Sequence, residues 1–247
     1  MTTHPGTAGS RYGRRVSSDS TDTWHFFTRP WLVALTLAWT VGVIDSYSFA
    51  EYGVFTSNQA GNLVVLGNEL PSDPRQATLA GLSLLGAVIG VATATFLQRV
   101  LARGPWLKVA VPLVLMILLM VLAWILRQFT DSPPAFLVPL TSAALAGLAT
   151  AVYRVPAIQG WITANTGAVL TTVQTAFETK AERQSAQKRA QPAIMITLGF
   201  LSGALLWGSG VFGSTDPTPV ALLPTLLTLG LALINARRNI SARRRGG

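Results

Sequence analysis

Gly42-Val43-Ile44-Asp45 lies near the end of the first long apolar run, and Thr56-Ser57-Asn58-Gln59-Ala60-Gly61-Asn62-Leu63-Val64 follows it. About a hundred residues later, Gly147-Leu148-Ala149-Thr150 is followed by Ile162-Thr163-Ala164-Asn165-Thr166-Gly167-Ala168-Val169-Leu170. The spacing from Gly42 to Gly61 is 19 residues, and from Gly147 to Gly167 it is 20. Each tract sets amides and small residues directly after an apolar helix. A helical membrane protein made of two related halves, each with a polar break, has this pattern.

Composition agrees with a membrane protein. Half of the 247 residues are hydrophobic and 12% are charged, against roughly 25% charged in soluble domains. The charges gather in short loops between long uncharged runs, as in polytopic helical proteins. The net charge of +9 does not indicate nucleic acid, because the Lys and Arg flank the apolar runs and no nucleic-acid-binding fold is present to use them. There is no Cys, which excludes disulfides, thiolate catalysis and Cys-based metal sites. The two histidines are His4 and His25, so no His-based centre can form inside a bundle. The sequence therefore predicts no enzyme, no metal and no cofactor.

Six runs are long and apolar enough to cross a bilayer: residues 31–50, 77–98, 106–125, 135–153, 192–213 and 219–235. Each is close to the ~20 residues a bilayer core requires. Trp31, Trp106, Trp124 and Trp207 stand near their ends, where indole rings favour the interface. With a cytoplasmic N-terminus, 17 Lys and Arg fall inside and two, Arg75 and Arg127, outside. If both polar tracts also crossed, eight crossings would give a 15-to-4 split. The tracts are too polar for lipid, since unpaired amides there cost several kcal/mol each. Six crossings with both termini cytoplasmic is the preferred reading, with the tracts as broken or re-entrant helices facing protein or water.

The expected organisation has three parts. Residues 1–29, rich in Ser, Thr, Gly and Arg, form a disordered cytoplasmic tail. Residues 30–237 form the membrane domain, with one repeat at 30–127 and a second at 134–237. Residues 238–247 form a basic cytoplasmic tail. Each repeat has three crossings, an odd number, so the second is inverted relative to the first. Gly86-x-x-x-Gly90 in the second run and Gly199-x-x-x-Gly203 in the fifth match across the repeats. Both allow close helix packing. The charged stretch 178–191 is read as a loop that absorbs the difference in length. The fold class is thus an all-α polytopic membrane protein, six helices in two inverted three-span repeats.

Gly42-x-x-Asp45, followed by Asn58-Gln59-Ala60-Gly61-Asn62-Leu63-Val64-Val65-Leu66-Gly67, resembles the first signature of the YoaK-like family (domain of unknown function 1275), small bacterial membrane proteins. Ala60 stands where that family has Thr in Thr-Gly-Asn. The stretch from Gly147 to Thr166-Gly167 is similar to the second signature and keeps its Thr-Gly. The resemblance covers about residues 30–237. It implies a bacterial cytoplasmic membrane location and the span count, and it implies no activity.

Asp45 is the acidic residue well inside an expected span. Intramembrane carboxylates often mark ion, proton or substrate paths; the plainer role is a hydrogen-bonded anchor for the tract after it. Asn58, Gln59, Gly61 and Asn62, with Asn165, Thr166 and Gly167 in the other half, join amides to glycines that allow close backbone approach. Broken helices there expose N–H groups able to hold an anion, or the amides serve only to pair the broken backbone. Arg154 either contacts an anion or snorkels at the inner interface. These nine residues are the candidate substrate-binding set. The leading functional expectation is a transporter or permease for a small solute or ion, with its site between the halves. The alternative is a non-transporting scaffold or an assembly or stress-response component. The lipid bilayer is the expected partner, nucleic acid is not, and homo-oligomerisation is left open.

Overall fold

The computed structural model describes residues 30–102, 105–129, 133–153, 173, 183–213 and 215–245. These form seven helices: α1 Pro30–Tyr52, α2 Gln59–Glu69, α3 Pro74–Leu101, α4 Pro105–Phe129, α5 Pro134–Tyr153, α6 Arg183–Gly208 and α7 Thr218–Arg245. No strand occurs among the described residues. Four helices open on proline, which suits a first turn because its missing N–H has no partner there in any case. Asp73 caps α3, accepting from the N–H groups of Arg75 and Gln76 at 3.1 Å each.

Four stretches are long and apolar enough to cross a membrane: Leu32–Tyr52, Pro74–Leu101, Leu107–Gln128 and Pro134–Val152. Ala193–Gly208 and Thr218–Leu231 are shorter apolar parts of α6 and α7. α2 differs in kind. Its 11 residues reach about 16 Å, roughly half of a bilayer core.

The interior lies where α1 meets α4, α5, α6 and α7. Leu37, Val41 and Ile44 of α1, Leu113, Met116 and Met120 of α4, Leu145 and Leu148 of α5 and Ile196 of α6 are buried there. Large apolar side chains also cover the outside. Val88 and Phe96 of α3, Leu118 of α4 and Leu227 of α7 are all more than 60% exposed. A water-soluble protein rarely tolerates so continuous an apolar surface; hydrocarbon is its natural surrounding.

Two glycine seams draw the helices together. A Cβ on Gly86 or Gly90 of α3 would overlap the backbone of Pro139 or Ala143 in α5. A Cβ on Gly199 or Gly203 of α6 would overlap the carbonyl oxygens of Leu35 and Trp39 in α1. α3 and α4 are tied at their junction by Gln98, whose Nε2 donates to the Lys108 carbonyl. The helical donor to that carbonyl would be residue 112, which is proline and has no N–H.

Three boundaries depart from the sequence expectation. The charged stretch taken as a loop to residue 191 is helical from Arg183. Its Gln, Ala, Lys and Arg residues are good helix formers, so the helix begins before its apolar part does. The run 192–213 does not stay helical to its end: α6 stops at Gly208, and Gly210 and Gly213 adopt positive φ in the turns that follow. α7 continues past the apolar run, expected to end at residue 235, through the basic residues to Arg245. Apolarity had marked the buried length of these helices, not their ends.

Candidate functional site

α1 ends at Tyr52, and Gly53 turns the chain with φ +72° while its N–H donates to Phe49 O at 2.9 Å. Only glycine adopts that conformation freely. The turn lays residues 54–58 back along the last turns of α1, facing Asp45. Asp45 is fully buried. Its Oδ1 accepts from Thr56 N at 2.8 Å, Ser57 N at 2.7 Å and Thr56 Oγ1 at 3.2 Å. Its Oδ2 accepts from Ser57 Oγ at 2.5 Å. Ser48 Oγ, one turn further along α1, donates to Val54 O at 3.0 Å. The carboxylate thus sits in a nest of two backbone N–H groups and two hydroxyls. Hydrogen bonds of this kind gain strength where water is excluded.

The same loop starts α2. Asn58 is its N-cap, with Oδ1 accepting from Gly61 N at 3.2 Å. A Cβ on Gly61 would come within 2.7 Å of the Phe55 ring, so glycine lets the loop fold onto the helix. Asn62 is the buried residue of α2. Its Nδ2, with two N–H groups to share, lies 2.7 Å from Phe55 O, 2.8 Å from Ser83 Oγ and 3.0 Å from Gln59 Oε1, and its Oδ1 accepts from Phe55 N at 2.9 Å. Gln59 Nε2 donates to Thr56 O at 3.1 Å. Ser83 of α3 lies 2.7 Å from Ser142 of α5, oxygen to oxygen. A continuous polar network therefore runs from α1 through the loop and α2 to α3 and α5.

Asp45, Asn58, Gln59, Gly61 and Asn62 thus gather around one loop. Arg154, Asn165, Thr166 and Gly167 lie outside the described residues. The sequence reading missed Ser83 and Ser142, single serines in apolar helices whose partners come from other helices. It also missed a second polar centre. Arg127, on the last turn of α4, pairs with Asp216 at 2.9 Å, both side chains less than 10% exposed. Arg127 also donates to Thr218 Oγ1 at 2.9 Å and Thr141 Oγ1 at 3.2 Å. Its guanidinium lies 5.1 Å from the Tyr47 ring centre. Tyr47 in turn packs edge-on against Trp207, with ring centres 5.1 Å apart.

An open cavity of about 300 Å³ lies beyond the end of α1, between the starts of α3 and α5. Glu51, Tyr52, Gly53, Asp73, Arg75 and Gln76 line it, and Gln76 Nε2 donates to Gly53 O at 2.8 Å. It is thus built on the turn that carries the Asp45 nest. No group of three or more His, Asp or Glu suited to a metal occurs among the described residues.

Residues 33–234 match the profile of a family described as protein of unknown function, DUF1275, and the chain belongs to that family. No curated protein and no solved structure matches it.

Proposed function

We propose that this member of the DUF1275 family is a six-span protein of the bacterial cytoplasmic membrane that moves a small solute or ion between two inverted three-helix units. The apolar exterior supports the membrane setting. The charge distribution, 17 Lys and Arg on one side against two on the other, supports cytoplasmic termini. The glycine seams support the inverted repeat. Exchanging α1 with α5 and α3 with α6 turns one seam into the other. Leu35 and Trp39 correspond to Pro139 and Ala143, both 104 residues on, while Gly86 and Gly90 correspond to Gly199 and Gly203, both 113 residues on.

One observation carries the transport reading: a polar loop is held against a buried carboxylate and runs on into a half-length helix packed on α3, beside an open cavity. Transporters use broken helices of this kind to bring backbone polar groups to membrane depth. The reading assigns no enzymatic step. The test is uptake into proteoliposomes across a panel of small solutes, with and without a proton gradient. Solute accumulation that depends on the protein and is lost in Asp45→Asn is the expected result; no uptake of any solute under either condition counts against it.

The second reading, a non-transporting scaffold or assembly component, is favoured by a different observation. Asp45 and Asn62 direct their hydrogen bonds to the chain itself, as structural anchors do. Wild-type folding and partner assembly with no solute flux would select it.

A further inference from the structure

We propose that Arg127 is a latch that closes the outer end of the bundle and is released when its ion pair with Asp216 opens. Three other segments converge on this one side chain. Asp216 and Thr218 belong to the entry of α7, Thr141 to α5 and Tyr47 to α1, while Arg127 itself ends α4. The pair joins residues 89 apart in sequence. Asp216 is fixed from its other side, because Oδ1 accepts from Thr218 N at 2.9 Å.

Two features separate a latch from a permanent rivet. The guanidinium is buried, yet its Nε has no partner, so the closed arrangement is incompletely satisfied. α7 also carries a buried hydroxyl without a partner, Thr225 Oγ1, two turns beyond Thr218. The carbonyl that Thr225 would ordinarily back-bond, Ala221 O, already accepts from Thr40 Oγ1 of α1 at 2.9 Å. An inner wall formed by α4 and α7 thus holds one unsatisfied polar atom on each helix, Arg127 Nε and Thr225 Oγ1, as a wall that meets water in another state would. Separation of α4 from α7 at Arg127 would expose that wall from outside. The latch rests on the transport reading, since only a protein with an outward-open state needs one.

The absence of Cys makes the test direct. Thr225→Cys replaces a hydroxyl that pairs with nothing, and its reaction with a membrane-impermeant methanethiosulfonate added from outside reports opening. Leu148→Cys, buried on α5, is the control for general loosening. In the otherwise unchanged chain both positions should react slowly. In Arg127→Met, or in Asp216→Asn, position 225 should react faster by on the order of tenfold or more, while position 148 stays slow. Asp216→Asn keeps the local shape and covers the case in which Arg127→Met does not accumulate. An unchanged rate at 225 in either folded variant overturns the latch, and so does equal acceleration at 148. The labelling needs no solute, so its failure leaves the transport reading standing, and a failed uptake screen leaves the labelling result standing.

Discussion

Asp45 accepts from two consecutive residues, Thr56 and Ser57, through both backbone and hydroxyl, and this geometry separates the two roles a membrane carboxylate can have. In Asp45→Asn the carbonyl can keep the three donors on Oδ1, and the new amide can donate to the Ser57 hydroxyl, which rotates to accept. The fold should survive, with a melting temperature close to that of the parent. If ionisation of Asp45 couples transport, uptake should nonetheless be lost. Asp45→Leu instead strands two buried N–H groups, each costing about 1–3 kcal/mol, and should lower the melting temperature clearly. Uptake and thermal unfolding of both variants test this; a stable, fully active Asp45→Leu protein would eliminate both roles. Asp45 and the amides of residues 58–62 were legible in the sequence because polar groups inside apolar runs are costly enough to need a reason. Ser83 and Arg127 were not. A serine is unremarkable in a helix, and an arginine at the end of an apolar run looks like an ordinary interface charge. Their partners, Ser142 and Asp216, come from other helices and carry no local mark.

At the scale of elements, the helices were legible from apolar run length, and the seams from glycine spacing. The helix ends were not, because α6 and α7 continue as helix through charged residues outside the apolar runs. The seams give a graded prediction. Gly86→Ala and Gly203→Ala each place a methyl against backbone of the neighbouring helix, which must move rather than merely turn a side chain. Overpacking of this kind costs about 1–3 kcal/mol, so both should lower the unfolding temperature. Gly81→Ala, on the same helix as Gly86, meets nothing within 4 Å. It should be neutral, or stabilising by up to about 1 kcal/mol because alanine restricts the unfolded chain. Thermal unfolding in detergent ranks the three; Gly86→Ala as stable as Gly81→Ala would mean that the α3–α5 approach is looser than described.

For the whole molecule, the orientation proposed from charge has a consequence at the half-length helix α2. If α1 enters from the cytoplasm, its far end, the Gly53 turn and α2 all lie in the outer half of the membrane, and Ser72 in the connection to α3 faces outside. α6 then starts inside, so its charged first turns, including Ala186, face the cytoplasm. A native chain without Cys lets single cysteines report this unambiguously. Ser72 is exposed and its hydroxyl only caps local groups, so Ser72→Cys should fold normally and react with an impermeant maleimide applied to intact cells. Ala186→Cys should react only after the membrane is permeabilised. The opposite pattern would invert the molecule and move the Asp45 nest and its cavity to the cytoplasmic side. Reaction of both positions from outside would rule out an odd number of crossings between them and, with it, the inverted repeat. The 17-to-2 charge distribution makes the first pattern the expected one, since holding Lys and Arg inside is the bias that sets membrane topology.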